Sequence, residues 1–204
     1  MPNTYIWYSP VDLESRSYVC SFCGNRVGPS KGYWSNSVNP QPRIYLCSYC
    51  GRPTFFDFTG KQYPGAPFGN DVTSLPPDVA ALYTEARSCM TVNSFTSTVL
   101  TCRKLLMHIA VEKGAPEGKS FMEYVEYLSQ KNYVPPDGKG WVDAIRTRGN
   151  EANHEIKIMA VADASELITF LEMLLKFIYE FPAKVKPTSP PPKGPIGASG
   201  SPTT

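Results

Sequence analysis

From residue 77 onward, apolar side chains return at steps of three and four. Val79, Leu82, Tyr83 and Ala86 do so over residues 77 to 92, and Val99, Cys102, Leu106 and Ile109 over 95 to 113, which predicts two amphipathic helices. Pro76 and Pro77 suit the opening of the first, where a missing N–H costs nothing, and Gly114 stops the second. A shorter helix, SFMEYVEYLSQKN, and then GWVDAIR follow. The last helix, 163 to 180, has the clearest pattern. Asp163 and Glu166 form a D-x-x-E start, and Leu167, Phe170, Leu171, Leu174, Leu175 and Ile178 give one broad apolar face ending before Pro182. Five helical segments in about 105 residues predict a compact bundle.

Ahead of the helices the period falls to two. The stretch RIYLCSYCG brings β-branched and aromatic residues suited to a hairpin, and GKQYPGAPFGNDVTSLPPD is rich in the Pro and Gly of a loop. At the other end, PAKVKPTSPPPKGPIGASGSPTT holds too few apolar residues to fold; its Pro187 to Pro190 spacing suits a polyproline helix, but a plain disordered tail is the preferred reading and no role is assigned to it. The expected fold class is mainly α: an N-terminal β zinc ribbon (1 to 60), a linker (61 to 75), a helical domain (76 to 181) and a disordered Pro/Ser/Gly-rich tail (182 to 204).

The cysteines change this picture most. Cys20 and Cys23 form one C-x-x-C, Cys47 and Cys50 a second, and the 23 residues between them suit two knuckles around one tetrahedral ion. Each pair runs on into glycine, and Gly24 and Gly51 allow the tight turn in which backbone N–H groups point at sulfur. Structural zinc is favoured over disulfides and over a rubredoxin-like iron site. Cys89 and Cys102 stand apart on helical segments, with no histidine at ligand spacing, and read as buried thiols.

Around the knuckles, Arg26, Lys31, Arg43, Arg52 and Lys61 face only Asp57 and are interleaved with Tyr33, Trp34, Tyr45, Tyr49, Phe55 and Phe56. Such a mixture can grip single-stranded nucleic acid, but a small ribbon also needs aromatics to shield its metal and dock on the next domain, and that reading is preferred. Over the whole 204 residues the net charge is only +2, too balanced for a whole-surface nucleic-acid binder. No apolar run reaches the roughly 18 residues of a membrane span, and the polar start lacks a basic-then-apolar leader, so no membrane contact and a cytoplasmic location are expected.

The stretch WVDAIRTRGNEANHEI, 141 to 156, concentrates the remaining chemistry. On an unbroken helix Arg146, Asn150 and His154 fall at i, i+4 and i+8 as one polar stripe. If Gly149 instead ends the helix, Arg148 folds back beside His154. An always-charged guanidinium, an amide and an imidazole titrating near neutrality can hold a phosphate and move a proton. They can equally clamp two helices together, with an arginine on Glu151 or Glu155, and on composition the clamp is favoured. His108, with Arg103 and Lys104 a turn back, reads as a partly buried helix histidine.

With PPDVAALYTEARSCM, CRKLLMHIAVEKG, AIRTRGNEANH and a long closing helix, residues 76 to 181 resemble the domain-of-unknown-function family numbered 4145 (DUF4145), in which a cysteine module in front is familiar. That family resembles in turn the HEPN superfamily of helical bundles, whose ribonuclease members cut RNA without metal using an arginine, four to six residues, then a histidine. The resemblance implies that Arg148, with five residues between it and His154, fits that pattern, that Arg146 lies outside it, and that two chains pair as a homodimer. Many relatives of this fold bind or scaffold without cutting. The leading expectation is therefore an interaction module for RNA, a nucleotide or a partner protein, of bacterial-defence type. The alternative is a metal-independent endoribonuclease in which His154 deprotonates a ribose hydroxyl while Arg148 or Arg146, with Asn150 beside them, neutralises the phosphate.

Overall fold

The computed structural model describes residues 5–134, 145 and 158–185. Residues 5–63 are built from short extended pieces: β1 (Val11–Asp12), β2 (Tyr18–Val19), β3 (Arg26–Val27), β4 (Lys31–Trp34), β5 (Arg43–Leu46), β6 (Pro53–Phe56) and β7 (Gln62–Tyr63). Five of them pair antiparallel in the order β1-β4-β5-β6-β7, while β2 and β3 make a separate hairpin. Period-two alternation gives the sheet two unlike faces. On the inner face Tyr45, Thr54 and Phe56 are buried with Tyr18, Val27, Cys20 and Cys47, and the rings of Tyr18 and Tyr45 meet Phe56 edge-on at 5.2 and 5.8 Å. The outer face carries Tyr33, Ile44, Phe55 and Tyr63, directly opposite one another across four strands. Gly32 marks a close approach of backbones, since a Cβ there would lie 1.9 Å from the Ile44 carbonyl oxygen.

The helices are α1 (Pro77–Thr91), α2 (Phe95–Glu112), α3 (Phe121–Gln130) and α4 (Val161–Leu175), with α4 running through a π turn (Lys176–Glu180) into the short α5 (Phe181–Val185). Their starts follow from local chemistry. Pro77 occupies the first turn of α1. Ser120 and Glu123 close a capping box on α3, and Asp163 accepts from the Ala160 N–H at the head of α4. The predicted faces are the buried ones: Val79, Tyr83 and Ala86 of α1, Val99, Cys102, Leu106 and Ile109 of α2, and Leu167, Phe170, Leu171, Leu174 and Leu175 of α4 form one core. No helix among the described residues is long and apolar enough to cross a membrane.

The expected mainly-α class is overturned. A five-stranded sheet plus a hairpin stands where a single small ribbon was read, so the chain is a mixed α and β protein. Strands of two residues, such as β1, β2, β3 and β7, are too short to show a hydrophobic period, whereas a helix announces itself over many turns.

The stretch after β7 is strapped to the helices. Gly65 N–H donates to the Thr91 carbonyl at 2.7 Å, Asn70 donates through its backbone N–H (2.8 Å) and Nδ2 (2.9 Å) to the Glu172 carboxylate, and Thr73 N–H donates to Glu180 Oε2 at 2.9 Å. Arg87 of α1 donates to the carbonyls of Phe68 and Gly69 at 2.9 and 3.0 Å and pairs with Asp71. Phe68, Val72 and Leu75 add apolar contact with the helical core.

Candidate metal centre

Each C-x-x-C sits in the same local turn. In the first knuckle Gly24 N–H donates to the Cys20 carbonyl (2.8 Å) and Cys20 N–H to the Asn25 carbonyl (2.9 Å); in the second, Gly51 donates to Cys47 (2.9 Å) and Cys47 to Arg52 (3.0 Å). Closing that turn requires φ near +70° at Gly24 and Gly51, which a side chain would oppose. The two knuckles meet so that Cys20 Sγ lies 3.8 Å from Cys50 Sγ, Cys23 Sγ lies 3.8 Å from Cys47 Sγ, and all four sulfurs fall within 4.8 Å of one another. Four metal–sulfur bonds of about 2.3 Å at tetrahedral angles place sulfurs about 3.8 Å apart, so the arrangement fits a four-thiolate metal site. All four are free thiols, at separations far beyond the roughly 2.05 Å of a disulfide bond.

The surroundings govern when these thiols ionise. Burial pushes Cys20 up to about 12 against the pull of the Phe22 and Cys23 amides, and burial likewise raises Cys50. For Cys23 burial also works upward, but the backbone and side chain of Asn25 outweigh it and hold the thiol below its ordinary value. A bound cation reverses the balance, because a coordinating thiol gives up its proton outright. Beneath the cluster Tyr18 is pushed up to about 12 by burial, and its hydroxyl and that of Thr54 are both buried without a partner in hydrogen-bonding geometry.

Residues that the spacing of cysteines does not announce hold the centre in place. Trp7 Nε1 donates to the Gly51 carbonyl at 2.7 Å, clasping the second knuckle from the N-terminal segment. The Arg52 guanidinium stands 5.1 Å over the Phe22 ring, bridging the knuckles, and Gln62 Nε2 donates to the Val19 carbonyl at 2.9 Å, tying β7 to the strand that leads into Cys20. Arg16 lies 4.0 Å over Phe56 and donates to the Gly60 carbonyl at 2.9 Å. All are long-range contacts between residues about 30 or more apart, and no local motif signals them.

The other expected site residues separate clearly. Arg146, Arg148, Asn150 and His154 lie outside the described residues. Cys102 is fully buried, with its thiol pushed up to about 12 by burial, while Cys89 is half-buried. His108 is half-exposed, with Nε2 3.4 Å from Asp78 Oδ2 across α1 and α2.

The profile of a family described as "Domain of unknown function (DUF4145)" matches residues 84–189, half of the chain. The chain belongs to the DUF4145 family. The DUF4145 match begins at Thr84 within α1 and takes in the helices, so the four cysteines stand in front of it. No curated protein and no solved structure matches the chain.

Proposed function

We propose that the four cysteines hold one structural zinc ion and that the zinc-held sheet, with the HEPN-like helices behind it, serves as an interaction module in a reducing, cytoplasmic setting. The observation that carries this is the tetrahedron of sulfurs set on a sheet whose inner face is filled and whose outer face keeps its aromatics in solvent. Edges of 3.8 Å suit zinc, a d¹⁰ ion indifferent to geometry and content with four thiolates. A closed four-ligand site leaves no position for substrate, which supports a folding role for the metal. The aromatics then divide by face. Tyr45 and Phe56, with Tyr18, shield the centre, while Phe55 and Tyr63 on the outer face are exposed and available to a partner.

An exposed edge-to-face pair on the last helix, Phe177 and Phe181 with ring centroids 5.3 Å apart, supports pairing of two chains. Light scattering at twice the 22.6 kDa chain mass is expected, and a monomer at micromolar concentration would refute that pairing.

Metal analysis of reduced protein should give about one zinc per chain, and the full chain should enrich ligands from a random RNA pool or a displayed random-peptide library. Enrichment from either that disappears when zinc is stripped supports the module. Zinc-loaded protein that enriches neither overturns it.

A further inference from the structure

We infer that the outer face of the sheet is a stacking platform for single-stranded nucleic acid, an assignment that rests on the interaction-module reading and names its ligand class and residues. The pairing register sets Tyr33 opposite Ile44, Ile44 opposite Phe55 and Phe55 opposite Tyr63, one straight row across β4, β5, β6 and β7. With strands about 4.8 Å apart, that row is about 14 Å long. Phe55 and Tyr63 remain 39% and 38% exposed, and their rings lie 6.1 Å apart with a tilt of 33°. At the other end Trp7 continues the row, 6.4 Å from Tyr33. A sheet face of this kind takes two or three splayed bases, each laid on a ring.

Charge selects the occupant. Lys61 Nζ sits 5.2 Å over Tyr63 at one end, and at the other the Tyr5 ring, 6.4 Å from Trp7, has the Arg52 guanidinium 6.0 Å away, so a cation flanks each end of the run of rings. Neither Lys61 nor Arg52 is in an ion pair among the described residues. The nearby carboxylates are occupied: Asp12 pairs with Lys31 at 2.7 Å, and Asp57 Oδ1 accepts from the Thr59 and Lys61 amides, both at 2.9 Å, and from the Thr59 hydroxyl at 2.6 Å. Rings for bases and two cations that no carboxylate neutralises fit a single strand better than an apolar peptide, which has no use for the cations. With few cations, stacking carries the affinity, and the salt dependence is shallow.

The test is a fluorescence-anisotropy titration of the zinc-loaded full chain with labelled U12, dT12 and a 12-base-pair duplex. Single strands should bind and the duplex should not, with a slope of log affinity against log salt no steeper than about −2, the value for two to three displaced counterions. Phe55→Ala with Tyr63→Ala should weaken U12 binding roughly 30-fold or more, as loss of two base–ring stacks does. Phe55→Leu with Tyr63→Leu keeps the apolar bulk and should weaken binding as the alanines do, whereas a peptide-binding surface would accept leucine. Zinc content and melting temperature of each variant report that the sheet is intact. Wild-type protein that ignores single strands, equal binding of the duplex, or leucine variants that bind like wild type would each overturn the platform. If U12 fails while a peptide is retained, the interaction module stands and only the nucleic-acid assignment falls.

Discussion

The sheet and the helices solve the same problem with unequal means. In the helical region twenty-five buried apolar residues among those described form one cluster, including Leu105, Leu106, Ile109, Ile168 and Leu171 with no solvent exposure at all. The sheet has six, and two of those are the metal-binding candidates Cys20 and Cys47. Burial of apolar area therefore suffices for the helices, while the sheet lacks enough of it to offset the ordering of some sixty residues. On the zinc reading proposed above, ligand bonds supply what packing does not. The same scarcity has a functional consequence. Because so few side chains are needed inside, Phe55 and Tyr63 can stand outside, and on the proposed reading a metal-held sheet presents them on a rigid surface.

Removing the metal is the most forceful way to break this comparison. Structural zinc in small domains supplies about 10–16 kcal/mol of apparent binding energy, which is folding energy where no core exists without it. Chelation, or Cys47→Ser, should therefore abolish the strand signal and release Trp7 from Gly51 while the helical circular-dichroism signal stays. Loss of helix and sheet together would show that the two regions are one cooperative unit.

The complementary experiment attacks the helices. Leu171 is fully buried in the cluster, so Leu171→Ala should lower the stability of the helical transition by about 2–5 kcal/mol without changing zinc content. Metal loss in that variant would again mean that the sheet leans on the helices.

Between these extremes lies the strap. The Glu172 carboxylate is only 12% exposed, takes two hydrogen bonds from Asn70 and pairs with Lys176. Burial works to raise its pKa, and the partners, Lys176 first, more than cancel this and leave it lowered. Glu172→Gln keeps the shape and removes the charge, with an expected cost of about 1–3 kcal/mol for weakened charge-assisted bonds. Residues 65–75 should then exchange amide hydrogens faster, which mass spectrometry reads directly. Unchanged protection at Asn70 and Thr73 would mean that Arg87 and the apolar contacts of Phe68 and Val72 hold the strap alone.

Legibility in the sequence follows the range of the interactions involved. The apolar faces of α1, α2 and α4 and the four-cysteine pattern depend on spacings of a few residues, and both are plain in the chain. The strand order β1-β4-β5-β6-β7 depends on pairings such as Val11 with Gly32, which no local period encodes. Residues 61–75 read as a loop because Pro and Gly dominate them; their attachment depends on Glu172 and Glu180, about a hundred residues away. Most instructive are Phe55 and Phe56. Side by side in sequence they are indistinguishable, yet alternation buries one beneath the metal centre and leaves the other in solvent beside Tyr63. Only the register separates shielding from display.

The smallest expected effect sharpens the comparison through pH. At the head of α3 the Glu123 carboxylate accepts the Ser120 N–H at 2.8 Å and pairs with Lys119 at 3.1 Å, and the Ser120 amide first, then its hydroxyl and Lys119, lowers its pKa to about 2. A depressed carboxylate stabilises the fold at pH values above its unfolded pKa, and that contribution is lost as pH falls through the folded one. The cap should hold fully above about pH 4.5, weaken below it and vanish near pH 2. If the four cysteines hold a metal, their ligation needs deprotonated sulfur and acid competes with the ion for it, so the sheet should be released at higher pH than the cap. Acid titration followed by nuclear magnetic resonance should therefore lose β5 and β6 cross-strand signals first and the start of α3 last. Ser120→Ala, which removes the side-chain half of the box, should cost about 0.5–2 kcal/mol at pH 7 and leave the pH at which the sheet is lost unmoved. Glu123→Gln should differ from wild type at pH 7 and become indistinguishable from it near pH 2. A variant that differs equally at both pH values would mean that Glu123 acts through its shape, with its charge playing no part in the cap.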